Sequence, residues 1–149
     1  MLQRAGLARD PPSCHDVARV TAPNIRVEHR ESLAFALSEA AELEHGLLCC
    51  YLYTAFSIGP RCERRHGAEQ AAAIARWRAE ITDIARDEMI HLALVSNLLN
   101  AIGAAPHFMR PNFPVASGYH PAGIVVSLAP FCLSTIQHFV YLERPEDVV

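Results

Sequence analysis

Between Arg110 and Glu143 the chain contains no Asp, Glu, Lys or Arg. The stretch is not a membrane anchor, because Pro111, Pro114, Gly118, Pro121, Gly123 and Pro130 interrupt it. No run of about 20 apolar residues is left to span a bilayer. It reads instead as a buried, loop-rich segment packed on a core. A basic excess is also lacking: 13 Lys and Arg stand against 16 Asp and Glu, a net charge of −3. Without basic clusters the footprint of a nucleic-acid-binding protein is missing. The N-terminal MLQRAGLARDPPSCHDVARV has no apolar h-region, so no export route is visible. Five cysteines (14, 49, 50, 62 and 132) make an odd set without metal-type CxxC spacing. They fit reduced thiols in a cytoplasmic protein.

What is present is one domain's worth of chain. The 149 residues are 51% apolar, enough for a core and too many for disorder. Residues 1–28, with Pro11, Pro12 and Pro23 and no periodicity, are expected to form an extended or partly disordered leader. Residues 29–149 are expected to form the domain. A long helix is predicted over Glu31–Ile58, stopped by Gly59-Pro60, and a second over Gly67–Ile102, stopped by Gly103 and Pro106. A shorter helix follows over Pro130–Glu143, ended by Pro145. The fold class is all-α: two long antiparallel helices and a shorter third, an incomplete bundle.

The second helix carries the chemistry. Steps of three and four give Ile74, Trp77, Ile81, Ile84, Glu88, His91, Val95, Leu98 and Ile102. Seven of these nine are large and apolar, as an interior seam requires. The exceptions form Glu-x-x-His, a carboxylate and an imidazole on one face, able to share a metal at about 2.0–2.2 Å. A carboxylate in a seam needs a cation, a donor or a proton. The first helix repeats this with Leu33, Leu37, Ala40, Glu44, Leu47, Tyr51, Thr54 and Ile58, and the third with Leu133, Ile136, Val140 and Glu143. Glu44, Glu88, His91 and Glu143 are therefore the candidate metal ligands, following the logic of dinuclear carboxylate sites in helical bundles. Antiparallel packing puts Glu44 and Glu88 at roughly similar heights, with a mismatch of about a turn that an offset helix start could absorb. Trp77 reads as core, and Tyr51 as a candidate hydrogen-bond donor beside the ligands, a radical relay, or a packed core ring.

Two other copies of Glu-x-x-His compete. Glu63/His66 falls in an Arg-rich turn and reads as solvated loop. Glu42/His45 lies on a half-polar row with Phe35, Ser38 and Cys49 and reads as a surface or supporting pair. His107, His120 and His138 are assigned no ligand role. Arg110 and Asn112, between prolines, are expected to fix their loop against the bundle end.

The segments ELEHGLLCCYLYTAFSI (42–58), ARDEMIHLALVSNLLNAIGAAPHFMRPNFP (85–114) and LAPFCLSTIQHFVYLERPE (128–146) resemble bacterial ferritin-like domains of the iminophenyl-pyruvate dimer synthase type. That family includes the imine-dimer synthases of violacein and rebeccamycin biosynthesis. The resemblance implies a ferritin-like four-helix bundle, with Glu44, Glu88, His91 and Glu143 on its ligand positions. It implies iron, as a di-iron centre, with manganese as the other candidate, and oxidative coupling of amino-acid-derived imines. Relatives continue into a fourth helix with a second Glu-x-x-His, whereas this chain stops at Val149. Either a second copy or another chain is the partner completing the bundle, or the sequence is a fragment of a longer protein, or the domain has decayed into a non-catalytic one. A helical interaction module without chemistry is the competing reading. The small-molecule substrate is not specified, and neither nucleic acid nor membrane is expected as a partner.

Overall fold

The computed structural model describes residues 26–59, 66–115 and 125–144. Three helices are found there: α1 Arg30–Ser57, α2 Ala68–Ala101 and α3 Leu133–Leu142. Among the described residues the only strand pairing is a single bridge, Val115 N–H to Val126 C=O at 2.8 Å. The all-α reading holds. Most of the expected leader, residues 1–25, lies outside the described residues, as do Glu63 and His120.

α1 and α2 form an antiparallel hairpin. Their pairing is fixed at three levels: Arg30 donates to the Ile102 carbonyl (2.8 Å), His91 lies against Glu44, and Arg78 approaches the Ile58 carbonyl. α2 ends as the sequence predicts. Gly103 takes φ +74°, its N–H bonds the Asn100 carbonyl at 3.0 Å, and the Ala104 N–H reaches back to Leu99 at 2.9 Å. This paired closure needs a residue with positive φ, hence glycine.

The α2 seam departs from expectation at its ends. The buried row is Ile81, Ala85, Glu88, Ser96 and Leu99, while Trp77 and Leu98 are about half exposed. A 3.5-residue step drifts by about 20° per heptad on a straight α-helix. Expected seam and true face therefore coincide at Glu88 and separate toward both ends. Trp77 is not core; it stacks on Phe131 with centroids 5.8 Å apart.

α3 begins at Leu133 rather than Pro130, because residues 127–131 are used as a tether. A polar row on α1 holds them: Cys50 Sγ approaches the Ser127 carbonyl, and Thr54 Oγ1 donates to Ala129 at 2.8 Å. Ser57 Oγ accepts the Phe131 N–H at 2.7 Å. α3 therefore runs parallel to α2 and antiparallel to α1. No Cα of α3 comes within 8 Å of a Cα in either long helix, so it docks through side chains. Phe139 packs on Tyr51 with centroids 4.4 Å apart, and Thr135 is buried beside it. Of the expected row, Ile136 packs against the core and Glu143 meets Tyr51, while Leu133 and Val140 are exposed, because the buried face centres on Thr135 and Phe139.

Candidate metal centre

Glu44 and Glu88 stand at one level, with no mismatch of a turn between them. The His91 imidazole joins them, with Nδ1 3.3 Å from Glu88 Oε2 and 3.4 Å from Glu44 Oε2. One donor atom from each of the three residues falls within 4.8 Å of the others, and among the described residues no other His/Cys/Asp/Glu group does this. Glu88 is 6% exposed and faces the hairpin interior; Glu44 is half-buried, and His91 lies toward the rim. The antiparallel packing thus builds from two helices what neither offers alone.

The electrostatics follow from that crowding. The Glu88 carboxyl is pushed up to about 9, first by burial, then by its hydrogen bond and charge repulsion with Glu44, with Glu143 adding repulsion. A buried carboxylate pair of this kind retains a proton or takes up a cation.

Glu143 is not one of the three clustered donors. It sits just past α3, and its Oε1 accepts the Tyr51 hydroxyl. Tyr51 is fully buried, and burial together with that bond raises its phenol well above its ordinary value. The structure thus brings Glu44, Glu88 and His91 together and holds Glu143 against Tyr51 on the same side of the hairpin.

Glu42/His45 has another task. Glu42 Oε1 pairs with His107 Nε2 at 2.8 Å, and His45 Nδ1 bonds the Phe108 carbonyl at 3.0 Å. This pair clasps the segment leaving α2, which Arg110 stiffens by donating to Pro111 and lying 4.5 Å over the Phe113 ring. The expected supporting role of Arg110 is thus local. Of the described cysteines, Cys50 is buried and its thiol pushed up to about 12, chiefly by burial. Cys132 is exposed, and hydrogen bonding with Ser134 and Thr135 lowers its thiol to about 7. Periodicity puts Thr54 on the α1 seam but does not reveal that Cys50, Thr54 and Ser57 form a polar row, because it marks a face and not what fills it.

An acid/histidine cluster inside an antiparallel helical hairpin defines a class, and the chain belongs to the ferritin-like family, whose model matches residues 37–149. The chain is 31% identical over 153 residues to the 2-imino-3-(indol-3-yl)propanoate dimerase of Chromobacterium violaceum, an alignment covering 88% of this chain. It is 29% identical over 143 residues to the dichlorochromopyrrolate synthase of Lentzea aerocolonigenes, covering 82%. The alignments span only 15% and 14% of those two proteins. No solved structure matches the chain. Among the described residues no helix is long and apolar enough to cross a membrane.

Proposed function

We propose that the chain is a non-haem, di-iron carboxylate domain that acts as an oxidoreductase toward imines derived from aromatic amino acids. The observation that carries this reading is the convergence of Glu44, Glu88 and His91, with Glu88 buried beside a like charge. The donor set fits the group: two carboxylates and one imidazole suit iron or manganese, and no thiolate joins them. Glu44, Glu88 and His91 would hold the metal, and Glu143 is the fourth ligand on this reading. Iron held there supplies one-electron redox capacity. The protein's own part is to place the donors in advance and to keep Glu88 away from bulk water. It also anchors Glu143 through the Tyr51 hydroxyl. Because Glu88 holds a proton in the metal-free protein, uptake of a divalent cation releases it. The names of the two relatives support the imine substrate class. The odd cysteine count supports a cytoplasmic location.

The test is an anaerobic Fe(II) titration of the 149-residue chain, reading bound metal and protons released. Saturable binding with proton release, lost in Glu88→Gln/His91→Ala, is the expected result. Equal, weak binding by both proteins overturns the reading.

A further inference from the structure

Beside α3, between it and α2, runs an open groove of about 580 Å³, the size of a cleft for a small molecule. Ile81 and Ile84 of α2 form one wall and the Phe139 ring of α3 part of the other, while Trp77 and Phe131 stack at one end. At the other end stands Glu143, whose Oε1 accepts the Tyr51 hydroxyl and whose charge reaches Glu88. The groove thus runs up to the candidate metal centre.

Its charges are of one sign. Glu80 and Glu143 line it, and among the described residues no Lys, Arg or His does. Arg144, next to Glu143, lies outside the groove, 4.2 Å over the Tyr141 ring. Apolar walls between two carboxylates select an apolar ligand with a cationic group, because an anion brought into the same cleft meets like charge at both ends. We infer that the groove is a binding site for aromatic amines. The ring lies against Ile81, Ile84 and Phe139, and the ammonium group meets the Glu143 carboxylate. The same two acids exclude a ligand that carries a free carboxylate. The identification of this ligand as substrate rests on the oxidoreductase reading above: the substrate is then an arylalkylamine or its iminium, without the carboxylate of the parent amino acid. Binding itself does not depend on that reading.

The test is a calorimetric titration of the full chain, in chelator at neutral pH, with four ligands that share one ring: 2-phenylethylamine, 2-phenylethanol, phenylalanine and 3-phenylpropanoate. Saturable binding of the amine is expected, about fivefold tighter than the alcohol and more than about tenfold tighter than either carboxylate. Glu143→Gln, whose amide oxygen can still accept the Tyr51 hydroxyl, should remove the advantage of the amine over the alcohol. Val140 also lines the groove and is 66% exposed, so Val140→Arg places a cation there without disturbing the core. It should reverse the order of the amine and 3-phenylpropanoate. Metal is excluded throughout, so failure here leaves the Fe(II) titration standing, and failure of that titration leaves these affinities standing. No binding of the amine overturns the inference. So does equal binding of all four ligands, or an order that Val140→Arg leaves unchanged. Amine affinity that falls as the chain is concentrated, with a dimer seen in sedimentation, overturns it too, since a second copy then fills the groove.

Discussion

At the scale of single residues, Glu88 decides how the metal-free protein responds to pH. Its carboxyl is raised from 4.5 to about 9 in the folded chain, so the folded state holds a proton that the unfolded state releases. The stabilisation this gives is complete below about pH 4.5 and is lost as pH rises toward about 9. Denaturant midpoints in chelator should fall between pH 5 and pH 9 for the wild type, and fall less for Glu88→Gln. Tyr51 acts through its hydroxyl and its ring separately. Tyr51→Phe keeps the contact with Phe139 but frees Glu143. If Glu143 is a ligand, metal affinity should drop about 10- to 100-fold, the usual cost of losing a group that orients a ligand. A Co(II) titration followed by its visible spectrum checks this. The same variant should lose about 1.5–3 kcal/mol of metal-free stability, typical of a hydrogen bond to a charged group. Glu88 was legible in the sequence because a charge in an apolar row requires a partner. Glu44 was legible from its own seam, but the level at which it meets Glu88 was not, since register between helices is not written in either one.

At the scale of elements, the helix stops were the most readable feature. Gly103 is the clearest, because its positive φ and the two bonds behind it admit little else. Gly103→Ala should cost about 1 kcal/mol, lowering the melting temperature by roughly 2–4 °C for a domain of this size. The α2 face was legible at its centre and wrong at Trp77 and Leu98, for the reason of drift given above. The orientation of α3 was not legible. Two apolar rows compete on ten residues, and the choice is made by Phe139 meeting Tyr51 and by hydroxyls on α1 holding the approach segment. Ser57→Ala removes the acceptor for the Phe131 N–H and should cost about 0.5–1 kcal/mol, since the bond is solvent-exposed and water can replace the hydroxyl. Hydrogen exchange at the Phe131 amide should quicken more than at amides within the α1–α2 hairpin.

At the scale of the whole molecule, the hairpin is the stable frame and α3 a side-chain-docked addition to it. A metal bound by Glu44, Glu88 and His91 joins α1 to α2 and should stabilise the fold by mass action. Free metal at 100 times its dissociation constant corresponds to about 2.7 kcal/mol. Calorimetry with and without metal should therefore show a rise in melting temperature that Glu88→Gln abolishes. The tether between α1 and residues 127–131 has a further consequence, in time rather than in space. Glu44, Glu88 and His91 meet as soon as one local hairpin closes. Tyr51 finds Glu143 only across 92 positions of chain, and contacts between distant positions form late when loop closure opposes them. Assembly is thus expected to run in a fixed order, with three donors gathered while the carboxylate of α3 is still travelling. A nascent chain would offer three donors to a cation before α3 is in place.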